Sequence, residues 1–114
     1  MPTQMRRALD DLKIPDMIKA EIHTIINKLL TNHKENINKI VLYGSYAKGT
    51  YQPDSDIDLA VALNTLPEMK ARSGYKQSVE TETELDLLFC TKEQLDSGLF
   101  VFKRVNESGV SLYE

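Results

Sequence analysis

Residues 40–63, IVLYGSYAKGTYQPDSDIDLAVAL, constrain this chain more than any other stretch. Two apolar, β-rich runs flank a polar loop. Gly44-Ser45 closes the first run, Asp56 and Asp58 open the second, and ten residues separate Ser45 from Asp56. Ile40–Tyr43 predicts a short buried strand. The loop from Gly44 to Ser55 carries Gly44, Gly49, Pro53 and Asp54, all turn formers. Ile57–Leu63 is nearly all apolar apart from Asp58, which predicts a central strand covered on both faces.

The carboxylates in this stretch are placed for chemistry. Side chains at i and i+2 of a strand point to the same face, about 6.7 Å apart along it. Asp56 and Asp58 therefore share a face, while Ile57, Leu59 and Val61 take the other. Two carboxylates converging beside an apolar strand repel, and one would take up a proton unless a divalent cation stood between them. A third acid, Asp86, interrupts the apolar run of ELDLLFC, residues 84–90. Three carboxylates meet if that strand lies beside 57–63. Hard oxygen donors of this kind suit Mg²⁺ or Mn²⁺. Two such ions about 3.5–4 Å apart can hold the attacking and leaving oxygens of an in-line phosphoryl transfer.

Gly44-Ser45 complements the acids. Glycine lets the backbone turn tightly and approach a ligand, and consecutive N–H groups in such a turn form an anion-binding nest. The Ser45 hydroxyl adds a donor, and Lys48, three residues on, offers positive charge. A metal–nucleoside triphosphate needs an anion holder and a cation holder together. Taken singly, each feature has an ordinary reading: a Gly-Ser turn, solvated aspartates at a strand start, an edge-facing acid at Asp86. Their joint occurrence in this order favours a site.

Around this unit the pattern alternates helix and strand. Residues 3–13 read as a charged helical lead-in. Pro15 suits the first turn of a helix. From Asp16 to about His33, Met17, Ile18, Ile22, Ile25, Ile26, Leu29 and Leu30 form one buried stripe, with Lys19, Glu21, His23, Asn27 and Lys28 on the wet side. Asn64–Pro67 breaks the second strand, and 68–80 reads as a helix weakened by Gly74. Glu84–Cys90 predicts a third strand. Thr91 and Gln94 fit a capping box opening a helix to about Ser108 that buries Leu95, Leu99, Phe102 and Val105. Gly109 is placed to end it left-handed. Val110–Tyr113 offers a short edge strand or a packed tail. The expected fold class is α/β (α+β), a mixed sheet of three to four strands flanked by helices. The domain reading is a single unit over 1–114, with 1–34 an N-terminal helical segment.

Length and charge narrow the function classes. With 114 residues the chain can bury a core but has little room for a second, substrate-holding domain. A formal charge of −3 gives no strong sign of nucleic-acid binding. The N-terminal residues lack an apolar signal core, and no stretch of about 18 apolar residues exists to span a membrane. The single cysteine, Cys90, forms no intrachain disulfide and reads as a small core residue, which fits a cytoplasmic setting. His23 and His33 lack metal-ligand spacing and read as surface residues. Lys70, Arg72 and Lys76 read as a solvated helix face or a groove lining. Tyr43, Tyr46, Tyr51 and Tyr75 read as packing residues or base-stacking rings.

Gly44-Ser45, the ten-residue spacer, Asp56-x-Asp58 and the later Asp86 together resemble the nucleotidyltransferase superfamily that includes DNA polymerase β. The short length and the segments GSYAKG and SDIDLAV look like its minimal nucleotidyltransferase (MNT) branch, and RVNESGVSLYE is similar to the tails of those proteins. The resemblance implies that Gly44 and Ser45 bind the triphosphate of ATP or another NTP. It implies that Asp56 and Asp58 bind metal, and that Asp86 helps to activate the attacking group and shares in holding two Mg²⁺ or Mn²⁺ ions. Lys48 stands where the family often has arginine, keeping the charge without the bidentate fork. The resemblance also implies a setting: an antitoxin that transfers AMP to a tyrosine of a HEPN-domain ribonuclease partner. The alternatives are neutralisation of that partner by contact alone, or transfer to a small molecule, which would need a second polypeptide or a homo-oligomer to hold the acceptor.

Overall fold

In a computed structural model, the structure describes residues 9–66, 74–77, 79 and 81–114. Helix α1 runs Asp16–His33 and a 3₁₀ turn follows over Lys34–Asn36. Strand β1, Ile37–Tyr43, leads into a one-turn helix α2, Ser45–Lys48. Strand β2 is Ile57–Leu63 and β3 is Leu85–Thr91. Helices α3, Lys92–Asp96, and α4, Phe100–Ser108, precede strand β4, Val110–Tyr113. The four strands form one mixed sheet in the order β3-β2-β1-β4. β1 is antiparallel to β2 and β4, and β2 is parallel to β3.

Strand alternation sorts the core into two layers. Ile40, Leu42, Ile57, Leu59, Val61 and Leu63 face α1, which buries Ile22, Ile25, Ile26 and Leu29 against them. Each such side chain contributes about 1.5–3 kcal/mol on full burial. Val41, Tyr43, Ala60, Ala62 and Cys90 face the other way and pack with Leu95, Phe102 and Val105 of α3 and α4. The small Ala60 and Ala62 let those short helices approach the sheet.

Several expectations change in detail. Pro15 stands one residue outside α1 with extended ψ (141°), and its carbonyl accepts from the Ile18 and Lys19 N–H groups. Met17, expected in the buried stripe, is 76 % exposed. Glu21, expected on the wet side, is half-buried and hydrogen-bonded. β1 begins three residues before the expected start. The polar Asn38–Lys39 stretch is drawn in because Asn36 and Asn64 tie its end to the end of β2: the Thr65 N–H donates to Asn36 Oδ1 (2.9 Å), and the Asn64 N–H donates to the Asn36 carbonyl (2.8 Å). The expected last helix is two helices, broken at Gly98 (φ 73°). Leu99 therefore stands outside both and is 59 % exposed. The capping box at its start is present: Thr91 Oγ1 accepts from the Gln94 N–H, and Gln94 Oε1 accepts from the Thr91 N–H.

Gly109 ends α4 in an extended, not left-handed, conformation (φ −68°, ψ 142°). Space, not dihedral freedom, requires glycine there, since a Cβ would lie 2.1 Å from the Val105 carbonyl oxygen and 2.6 Å from a Val41 methyl. His33 is not a solvated surface residue. It stacks on buried Tyr75 (centroids 3.8 Å apart), and burial holds its imidazole below the ordinary value. The lead-in before residue 9, most of the 68–80 helix, and Lys70 and Arg72 lie outside the described residues; 74–77 form a helical turn.

Candidate active site

The site lies at one end of the sheet, where β1 finishes and β2 and β3 begin. Asp58 is in register with Tyr43 of β1 on one side and with Asp86 of β3 on the other. Directly paired residues on neighbouring strands point to the same face, so Asp58 and Asp86 face each other across adjacent strands roughly 4.8 Å apart. Their face is the one covered by α3 and α4. Asp56 precedes β2 and is exposed; Asp86 is also exposed and Asp58 is half-buried. The Ile57 N–H donates to the Glu84 carbonyl (2.8 Å), which pins the two acid-bearing segments at the same level.

Electrostatics report the crowding. Burial, then the charges of Asp86 and Asp56, push the Asp58 carboxyl above its ordinary value, and Arg104 pulls the other way. The Tyr43 phenol is pushed up to about 12 by burial and by Asp86 and Asp58, so it stays protonated at neutral pH.

The glycine turn touches this cluster directly. Gly44 has φ 78° and ψ −154°, a region that only glycine occupies readily. A Cβ at Gly44 would lie 2.3 Å from Asp58 Oδ2. The bend thus packs its bare Cα against the central carboxylate. What was expected to be loop contains α2, whose first residue is Ser45. The Lys48 N–H donates back to the Gly44 carbonyl (3.0 Å), and Gly49 closes the turn left-handed (φ 79°). Ser45 is half-buried and Lys48 exposed. Among the described residues, Arg104 of α4 is a cation whose charge lowers the Asp58 carboxyl.

The donor chemistry suits a hard divalent cation, since these are carboxylate oxygens whose mutual repulsion a cation would relieve. The cage is not preassembled: among the described residues, no group of three His, Cys, Asp or Glu side chains stands close enough to hold a metal ion. Asp58 and Asp86 form the facing pair, and exposed Asp56 is the member that would have to turn towards it.

Two residues here escaped sequence reasoning. Arg104 lies beside the buried positions Phe102 and Val105 of α4, and that spacing marks its helix face without revealing what the face covers. Glu21 Oε1 accepts hydrogen bonds from Thr81 Oγ1 (2.7 Å) and from the N–H groups of Glu82 (3.1 Å) and Thr83 (3.0 Å). Its other oxygen accepts from the Thr83 hydroxyl. Burial alone would raise the Glu21 pKa, but these bonds outweigh it and hold the carboxyl below 4.5. α1 thereby fixes the turn that feeds β3. Tyr46 is buried and stacked on half-buried Tyr51 at 5.1 Å, so packing occupies both rings.

Comparison with known proteins identifies the family and the fold. Residues 24–114 match the family model described as polymerase beta, nucleotidyltransferase. Two curated proteins of Methanocaldococcus jannaschii, both named as protein adenylyltransferases, are similar. One is 28 % identical over 64 residues and the other 42 % over 40, covering 56 % and 35 % of this chain. The matched stretches span 58 % and 40 % of those relatives. A crystal structure of a toxin–antitoxin with AMP-PNP superposes with TM-score 0.60 at 30 % identity, over 78 % of this chain and 70 % of that one. The toxin–antitoxin MntA–HepT gives 0.53 at 26 % identity, over 77 % and 66 %. A nucleotidyltransferase structure from Sulfolobus solfataricus, 18 % identical over 87 % of each chain, shares the fold (TM-score 0.59). With four-fifths of its length inside one family model, the chain belongs to the polymerase β nucleotidyltransferase family.

Proposed function

We propose that this chain is a metal-dependent nucleotidyltransferase that moves AMP from ATP to an acceptor hydroxyl, the acceptor being a tyrosine of a HEPN-domain toxin partner. The observation that carries this reading is the in-register pairing of Asp58 with Asp86, with Gly44 packed on the Asp58 carboxylate. In this reading Asp56, Asp58 and Asp86 hold two Mg²⁺ or Mn²⁺ ions, which when bound polarise the reacting phosphate. Gly44 and Ser45 receive the triphosphate, and Lys48 adds charge at its rim. Asp86 takes the acceptor proton. The acceptor oxygen attacks the α-phosphorus, the bond from that phosphorus to the β-phosphate oxygen breaks, and pyrophosphate leaves. Residues 1–114 act as one minimal nucleotidyltransferase unit in the cytoplasm.

Incubation of the chain and a candidate HEPN protein with α-labelled ATP tests this. Label is expected on the partner's tyrosine with the wild type and not with an Asp56→Asn/Asp58→Asn double variant. Equal labelling by both would rule out this site.

The similarity to solved toxin–antitoxin structures also fits a second reading, neutralisation by contact. The same double variant separates the two. Full neutralisation without transfer supports contact, whereas loss of neutralisation with binding retained supports chemistry.

A further inference from the structure

The charge balance of the proposed site leaves a remainder. Asp56, Asp58 and Asp86 carry three negative charges and a nucleoside triphosphate about four, while two divalent cations offset about four. About three negative charges remain, and the protein must answer part of that from its own cations. Lys48 is exposed on α2.

Arg104 is differently placed. α4 packs through Phe102 and Val105 on the same sheet face that carries Tyr43, Asp58 and Asp86. The C-terminal end of α4 is clamped to β1 at Gly109, which leaves no room for a side chain against Val41, two residues before Tyr43. The helix is therefore held at a fixed height over the acid end of the sheet, with Arg104 adjacent to the buried anchor Val105. Its charge reaches both the Asp58 carboxyl and the Tyr43 phenol. Its side chain is exposed, and among the described residues it joins no ion pair, whereas neighbouring Lys103 pairs with Glu107 at 3.9 Å. An unpaired guanidinium beside a cluster of acids offers a planar, bidentate fork of the geometry that phosphate oxygens accept.

We propose that Arg104 is a substrate-positioning residue that grips the polyphosphate of the incoming nucleotide from the α4 side, opposite the Gly44-Ser45 bend. This rests on the nucleotidyltransferase reading and extends it to a residue outside the motif. α4 then serves as a second wall of the nucleotide site, and the clamp at Gly109 sets how far that wall stands from the acids.

Calorimetry with Mg²⁺ and the non-reacting α,β-methylene analogue of ATP tests it, with inorganic tripolyphosphate as a second probe. Arg104→Ala is expected to weaken both ligands by about tenfold to a hundredfold, the scale of a lost charge-assisted contact. Arg104→Lys should recover part of the loss, and Lys103→Ala, one residue away on the same helix, should bind as the wild type does. Circular dichroism shows whether each variant keeps its fold. Wild-type affinity in Arg104→Ala overturns the proposal, as does an equal loss in Lys103→Ala, which would show only a diffuse effect of net charge. If the wild type itself binds neither ligand while correctly folded, the nucleotidyltransferase reading falls, and this inference falls with it.

Discussion

Ionising Asp58 carries a cost that the fold alone does not repay. Its carboxyl is raised above 3.8 by burial and by Asp86 and Asp56. A raised carboxylate favours the folded state at low pH, and that stability is lost as pH rises from 3.8 through its folded value. Asp58→Asn should therefore raise the melting temperature at neutral pH, with the gain shrinking as pH falls through the folded value towards 3.8 and absent below it, while nucleotide transfer disappears. Thermal melts at pH 3.5 and 7.5 check this. Glu21 behaves oppositely. Its depressed carboxyl contributes stability above 4.5 that is lost as pH falls through the folded value. Glu21→Ala leaves the Glu82 and Thr83 N–H groups without their acceptor and should cost about 1–2 kcal/mol in urea unfolding at pH 7. Gly44→Ala combines a backbone region foreign to alanine with a Cβ 2.3 Å from Asp58 Oδ2. It should lose about 1–3 kcal/mol and bind nucleotide more weakly, since the carboxylate must move.

Elements succeed or fail here by how their ends are held. α1 stops where Asn36 and Asn64 tie the chain into the sheet, and α3 starts on a reciprocal Thr91–Gln94 cap. The gap between α3 and α4 is bridged by the Asn106 side chain, whose Nδ2 donates to the Leu95 carbonyl (2.9 Å). Two helices of five and nine residues are too short to persist on propensity, and packing of Leu95, Phe102 and Val105 on the sheet holds them alongside that bridge. Gly109→Ala would drive a methyl into the Val105 carbonyl and the Val41 side chain. It should destabilise the fold by about 1–3 kcal/mol and lift α4 from β1. Denaturant unfolding gives the first effect, and nucleotide affinity, through Arg104, gives the second.

At the scale of the molecule, the fold leaves Asp58 beside the charges of Asp86 and Asp56, a repulsion that a bound cation would relieve. Saturating Mg²⁺–ATP, at about a hundred times its dissociation constant, should add about 2.7 kcal/mol to stability by mass action. The melting temperature of the wild type should rise accordingly, and that of Asp56→Asn/Asp58→Asn should not; a shift of equal size in both would place the nucleotide elsewhere. Much of this was legible along the chain. The Gly44-Ser45 and Asp56-x-Asp58 spacing, the continuous apolar run of β2 and the Thr91 cap are local patterns, and local patterns are written in consecutive residues. Met17 and Leu99 were misread because periodicity marks a helical face without saying whether anything covers it. Glu21 was missed because its hydrogen-bond partners lie about 60 positions away along the chain, and Arg104 because the carboxylate that its charge influences lies about 46 positions away. The order and composition of the acid and glycine segments are properties of the sequence itself. That Asp86 comes level with Asp58, that Gly44 presses on that carboxylate and that α4 packs on the same sheet face were decided by strand pairing and helix docking, because only a parallel β2–β3 register converts separation in sequence into contact in space.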